Sequence, residues 1–401
     1  MLISRKMEKM VGGNTAIRQM FEEGLRMARK YGAENVYDFS LGNPNVPAPP
    51  AVNESIRRLV DTVDSVQLHG YMPNAGYPAV RAAVAESLNR RFGTDYGADN
   101  IVMSVGAASA MNAVLKTILD PDDEVITFRP FFVDYNNYVE NYSGKLVLAE
   151  TDEKFLPDME KLEKLYSPRT KAVLINNPNN PTGVIYPAEV IQALADSMRR
   201  AQERFGTQIM LISDEPYREL AYDGLEVPYV THFYDNAVVC YSYSKSLSLP
   251  GERIGYVAVP KSVYRWEDIV SGIIISSRVL GMINAPSLMQ HVILECLDTD
   301  ISQNVAVYDK HRQLLYRILT ENGFEAVYPQ GAFYMWIKAP IEESAFVELC
   351  KKHRILVVIG KAFYGEGYVR AAYCVSEDCI RNSAPSWKAV AEELGLKKKE
   401  A

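Results

Sequence analysis

From about Ile101 to Pro260, short β-branched runs alternate with longer stretches whose apolar residues recur at helical spacing. That alternation is the signature of a mostly parallel sheet covered by helices. Seven runs qualify as strands: Ile101–Val105, Glu124–Phe128, Lys145–Leu148, Lys171–Asn176, Gln208–Ser213, Ala237–Tyr241 and Ile254–Val259. The helical spacing is clearest in Ala107–Leu119 and in Pro187–Phe205, which opens with proline at its first turn. With 401 residues, 48% apolar and 23% charged, the chain has material for a large core and the balance of an ordinary globular protein. The expected fold class is α/β: a three-layer αβα large domain around a mostly parallel seven-stranded sheet, plus a smaller α+β domain.

After Pro286 the pattern changes to long helices, Ser287–Leu297 and Ile301–Asn322, followed by shorter strands around Ala332–Lys338, Ile355–Ile359 and Tyr368–Tyr373. The expected organisation is an N-terminal segment (1–48, with a helix over Ala16–Tyr31) packing with the small domain, a large domain (49–285) and a small C-terminal domain (286–401). The charged run Lys397–Glu400 reads as a solvated end.

A net charge of −7 provides no positive field for nucleic acid. The longest strongly apolar stretch, Ile269–Ile275, is far short of a membrane span, and the charged N-terminus lacks the apolar core of a secretory signal, so the expected location is cytoplasmic. Cys240, Cys296, Cys350, Cys374 and Cys379 are odd in number and never spaced as CxxC, and the histidines form no HExxH, so no metal is expected.

Ligands of parallel α/β folds bind at the carboxyl ends of the strands. Gly106-Ala107-Ala108-Ser109 follows the first strand and opens a helix, whose free N–H groups suit a phosphate or make a plain strand-to-helix turn. Asn176-Asn177-Pro178-Asn179-Asn180-Pro181-Thr182-Gly183 is a run of turn formers, either an ordinary loop or a device presenting amide side chains at the strand end. Ser213-Asp214-Glu215-Pro216-Tyr217 puts a carboxylate and a phenol at the same edge, with a cap for Asp214 and an ion pair for Glu215 as the structural alternatives. Ser242-Tyr243-Ser244-Lys245 sets a lysine among hydroxyls, and Arg253 supplies a second cation that would lower its pKa toward that of a nucleophile. No GxxxxGK[ST] or GxGxxG is present, against a nucleotide. A lysine, a carboxylate, a phenol, an amide, an arginine and a helix N-terminus together meet the needs of pyridoxal 5'-phosphate.

At these residues the sequence resembles the class I/II aminotransferases of the fold-type I pyridoxal phosphate enzymes. Ser242-Tyr243-Ser244-Lys245 with Gly251, Arg253, Ile254 and Gly255 is similar to the family's lysine signature, and Asn180-Pro181-Thr182-Gly183 to its second hallmark. The likeness runs from Leu41-Gly42-Asn43-Pro44 to Tyr368-Val369-Arg370. It implies that Lys245 forms the internal aldimine and shuttles the proton, that Asp214 keeps the pyridine nitrogen protonated, and that Asn180 and Tyr217 hydrogen-bond the phenolic oxygen. It also implies that the Ala107 and Ala108 N–H groups, Ser242 and Arg253 hold the phosphate, with Tyr71 reaching it from a neighbouring subunit and Ser244 among the cofactor-binding residues. Phe132 takes the place of the aromatic that stacks on the ring, where many relatives have Trp or Tyr. Arg370 takes the place of the arginine that pairs with the substrate α-carboxylate, with the Gly42 backbone beside it. At Ile359-Gly360 many relatives have Pro before the Gly.

The resemblance thus implies a homodimer with shared active sites that moves an amino group from an L-amino acid to a 2-oxo acid by a ping-pong route. A related carbon–sulfur β-lyase shares the same cofactor contacts, and aminotransferase-like sensors exist, although those carry a fused DNA-binding module. The substrate side chain has no readable code; Arg18 and Lys361 are candidate contacts that read equally well as solvated surface charges.

Overall fold

In the computed structural model, which describes residues 2–12 and 16–397, the short β-branched runs converge on one sheet. Residues 398–400 of the charged tail fall outside that range. Thirteen strands occur among the described residues: β1 (Tyr37–Asp38), β2 (Ile101–Ser104), β3 (Glu124–Phe128), β4 (Lys145–Ala149), β5 (Thr170–Asn176), β6 (Met210–Asp214), β7 (Ala237–Ser242), β8 (Gly255–Ala258), β9 (Ala326–Val327), β10 (Tyr334–Lys338), β11 (Ile355–Leu356), β12 (Val358–Ile359) and β13 (Tyr368–Ala372).

Seven of them form the large sheet in the order β2-β8-β7-β6-β5-β3-β4, with β8 alone running against its neighbours. Alternate side chains sort to opposite faces. Val173 and Ile175 of β5 and Leu211 of β6 join one apolar layer with helix Ala188–Phe205, whereas Ala172, Leu174 and Ile212 join a second with helices Ala107–Ile118 and Trp266–Val279. Both faces are therefore covered, and only the strand ends are free to build a site.

A four-stranded antiparallel sheet in the order β12-β13-β10-β9 forms the second unit, with helices Ser302–Glu321, Glu343–Lys352 and Glu377–Glu393 closing its core. β1 pairs in parallel with β11, and Tyr37, Phe39 and Val46 lie in this second core.

Three local departures from expectation have physical reasons. Ile355–Ile359 is two strands, because β11 pairs with β1 and β12 with β13 in a different sheet. The strand expected from Ala332 begins at Tyr334, since Ala332 sits at φ 57° and donates its N–H to Leu220 instead. Helix Ser287–Cys296, expected to open the second unit at 286, buries Met289, Val292 and Ile293 in the core of the large sheet, so the apolar packing changes over only after that helix. No helix among the described residues is long and apolar enough to cross a membrane.

Candidate active site

The register of the large sheet brings its polar strand ends together: Asn176 of β5 lies opposite Asp214 of β6, and Asp214 opposite Cys240, two residues before Ser242 at the end of β7. Between these ends and the second unit lies a cavity of about 280 Å³, near the lower bound for small-molecule sites. It is lined by Gly42, Ala107, Ala108, Phe132, Asn180, Asp214, Tyr217, Ser242, Ser244, Lys245, Arg253 and Arg370, all but one of the residues to which the resemblance gives a role. The exception is Tyr71, 91% exposed and outside the cavity of its own chain.

One end of the cavity is made for an anion. Helix Ala107–Ile118 starts there with no side-chain cap, so its first N–H groups remain to donate. Gly106 ahead of it needs to be glycine twice over: its φ is 85°, and a Cβ would lie 2.7 Å from Arg253 Nη2. Arg253, itself at φ 54°, donates to Val105 O (3.2 Å) and Pro250 O (3.0 Å) and reaches Ser244 Oγ at 3.4 Å. The Ser242 and Ser244 hydroxyls lie 2.7 Å apart, and Ser242 caps the short helix Tyr243–Ser246 by accepting from Ser244 N. That cap fixes Lys245 within its single turn.

Lys245 Nζ donates to Gly42 O at 2.9 Å and faces the Phe333 ring. Burial, with the cations Arg253 and Arg370 acting in the same direction, lowers its pKa to about 8. The neutral nucleophilic amine is therefore the main form above pH 8. Capture of pyridoxal phosphate by the apo-chain, followed by stopped-flow absorbance, should speed up as pH rises to about 8 and level off above it, whereas an ordinary lysine would keep accelerating towards pH 10.

At the far wall, Asp214 accepts a hydrogen bond from Tyr135 Oη at 2.6 Å, while its Oδ1 is buried without any partner. Desolvation pushes this carboxyl up to about 7 despite the Tyr135 bond. A buried oxygen left unmatched beside a cavity fits the N–H of a protonated pyridine, and the donors at the other end fit a phosphate; the residues present thus suit pyridoxal phosphate. Tyr135 was not found from the sequence; it lies on helix Asp134–Glu140 and reaches Asp214 across 79 residues. Tyr135→Phe removes a bond to a charged group, so cofactor affinity measured by fluorescence titration should fall about 10- to 150-fold.

Asn180 is set by the turn before it: Asn176 Oδ1 accepts from Asn180 N at 2.7 Å, and Asn176 Nδ2 donates to Asp214 O. Asn180 Oδ1 accepts from Arg370 Nη1 at 3.1 Å, so its amide nitrogen remains to donate. Arg370, on β13 and 2% exposed, donates also to Ser40 O (2.7 Å), lies between the rings of Tyr334 and Phe363, and keeps a buried Nε with no partner. Among the described residues no carboxylate lies within ion-pair distance of Lys245, Arg253 or Arg370. Three cations thus face the single carboxylate Asp214, a surplus that suits a phosphate and a carboxylate ligand together.

Two sequence alternatives resolve plainly. Glu215 forms a buried ion pair with Arg218 Nε at 2.5 Å and does not line the cavity. Arg18 pairs with Glu22 on the surface, and Lys361 lies exposed beside a separate groove with Arg129 and Glu150. Tyr334, which no sequence argument singled out, also lines the cavity, its hydroxyl 2.8 Å from that of Tyr217.

The family described as aminotransferase class I and II matches residues 33–384. The aspartate/prephenate aminotransferase of Thermus thermophilus is 33% identical over 366 residues, spanning 88% of this chain and 90% of its own length. Aromatic-amino-acid aminotransferase 2 of Thermococcus litoralis is 29% identical over 385 residues, or 91% and 94% of the two chains. A crystal structure of an aminotransferase from Eubacterium rectale superposes with a TM-score of 0.95 at 42% identity, covering 98% of this chain and 99% of that one.

Proposed function

The chain belongs to the class I and II aminotransferase family, an enzyme family dependent on pyridoxal phosphate, and from that premise we propose that it moves the amino group of an L-amino acid to a 2-oxo acid in two half-reactions. The observation that carries this reading is the pairing, in one cavity, of a lysine amine with a buried arginine lacking a counterion. When bound, the cofactor supplies an aldehyde that takes an amine covalently and a ring that draws electrons away from the α-carbon.

The rest falls to the chain. Lys245 Nζ is the amine that would hold the cofactor, and as a free amine it would carry the proton. Asp214 Oδ1 would take the ring N–H, and its carboxylate, costly to bury alone, would be matched by that positive nitrogen. Tyr217 Oη and the Asn180 amide donate to the phenolic oxygen. The helix Ala107–Ile118 N-terminus, Ser242, Ser244 and Arg253 hold the phosphate, and Phe132 covers the ring. Arg370 takes the substrate α-carboxylate as a planar fork, beside Gly42.

Active sites are shared in a homodimer. Tyr71 is exposed at the turn that Asn284 holds through Met72 O and Pro73 O, next to the exposed Ile283.

The test is an absorbance scan of the holoenzyme with each L-amino acid and no oxo-acid acceptor. The relatives are named for aspartate, prephenate and aromatic amino acids, so aspartate and the aromatic amino acids come first. Stoichiometric loss of the visible band to the near-ultraviolet pyridoxamine form is expected. Release of ammonia and an oxo acid without an acceptor would overturn transfer in favour of a lyase.

A further inference from the structure

We propose that Tyr334 is a positioning residue for the cofactor: its hydroxyl donates to Tyr217 Oη and thereby commits the Tyr217 proton to the cavity. The inference rests on the reading above in which Tyr217 donates to the cofactor's phenolic oxygen.

The hydroxyls of Tyr217 and Tyr334 lie 2.8 Å apart, and each is the other's hydrogen-bond partner. Two hydroxyls in one bond leave one proton over, and the surroundings decide which. Behind Tyr334 Oη stands Gly42, so close that a Cβ there would lie 2.2 Å from that oxygen. A hydroxyl carries one proton, so with that of Tyr217 spent on the phenolic oxygen the bond between the two hydroxyls is made with the proton of Tyr334. Tyr217 Oη, in turn, can both accept from Tyr334 and donate into the cavity it lines. Bonds in such a chain polarise one another, strengthening the outward donor by roughly 10–30%.

Tyr334 is held for this task from the second unit. It opens β10, pairs with Ala372 of β13, and carries the Arg370 guanidinium over its ring at 4.5 Å. Tyr217 comes from the loop after β6 and meets the Tyr334 and Phe333 rings edge to face. The hydroxyl pair therefore bridges the large sheet and the second unit. The ionisable groups facing it are Arg370, Asp214, Cys374 and Tyr135, with Lys245 reaching Gly42 O on the other side of that glycine. Burial pushes Tyr334 up to about 12 and Tyr217 well above its ordinary value, so both hydroxyls keep their protons through the neutral range.

A donor on the phenolic oxygen favours its ionised form and lowers the pH at which the visible band titrates. The experiment is a spectrophotometric pH titration of four holoenzymes: the parent, Tyr334→Phe, Tyr217→Phe and the double variant. Tyr334→Phe keeps the ring beneath Arg370 and should raise the midpoint by about 0.3–1 pH unit, while adding nothing in the Tyr217→Phe background. An unchanged midpoint in Tyr334→Phe, or an equal shift in both backgrounds, overturns the proposal. If Tyr217→Phe itself leaves the midpoint unmoved, the donor role of Tyr217 fails and the inference falls with it. If Tyr217→Phe shifts it and Tyr334→Phe does not, the inference alone fails.

Discussion

Lys245→Ala is expected to reduce turnover by about 10⁴-fold, the upper end of what one general acid–base group contributes, and to abolish borohydride-trapped cofactor on the chain. The reason lies in its placement. Among the described residues its amine is the one lysine nitrogen at the cavity, held 2.9 Å from Gly42 O on a single helical turn that Ser242 caps. Burial beside two further cations lowers its pKa to about 8, so that near neutrality an appreciable fraction is already neutral and able to add to an aldehyde or accept a proton. No other described side chain in the cavity has that combination. Asp214 is tied to Tyr135, and the hydroxyls of Tyr217 and Tyr334 hold their protons far above neutrality. The alanine variant should still bind the cofactor through the phosphate end and Asp214, but non-covalently. Undiminished covalent trapping at an unchanged visible band would remove Lys245 from the role.

For Arg370→Ala, kcat/KM for amino acids should fall roughly 10²- to 10⁴-fold, corresponding to the ~3–5 kcal/mol cost of removing one partner of a buried charged pair. Most of the change should appear in KM. In the parent the guanidinium is buried, oriented by Asn180 Oδ1 and Ser40 O and pressed between two rings, yet has no protein anion, so its desolvation is offset only when an anionic ligand arrives. Arg370→Lys keeps a charge but loses the planar fork and should recover only part of the loss. The cofactor spectrum should be nearly unchanged in both variants, which separates carboxylate recognition from damage to the cofactor end. A KM within twofold of the parent would refute the carboxylate role.

Much of this architecture is legible before any tertiary information. Alternation of β-branched runs with helical spacing placed the seven strands of the large sheet within a few residues of where they occur, because strand and helix periods are properties of local sequence. The same holds for the polar strand ends: Asn176, Asp214 and Ser242 each follow an apolar run, and one parallel sheet necessarily gathers such ends at one edge. Where the expectation slipped, at Ala332 and at Ile355–Ile359, the deciding fact was the choice of hydrogen-bond partner. The N–H of Ala332 went to Leu220, and a five-residue apolar run divided between two sheets.

The kinds of residue gathered at the cavity were thus determined by the sequence itself: a lysine, a carboxylate, an amide and a helix start, at or just after the ends of β7, β6, β5 and β2. Only the tertiary structure decided which of their atoms are already engaged and which are left over. The Tyr135 bond to Asp214 spans 79 residues, the Tyr217–Tyr334 pair 117 and the Arg370 bond to Asn180 190. The first depends on how helix Asp134–Glu140 packs on the large sheet and the other two on how the second unit seats against it, and no local period encodes either. Such long-range packing saturates one oxygen of Asp214 and leaves the other bare, and it buries Arg370 without an anion. It also keeps Tyr71 outside its own cavity. Local pattern chooses the chemistry at a strand end, because periodicity and turns act over a few residues; packing between distant segments sets its protonation and its vacant bonds, because burial and partner geometry act across the whole fold.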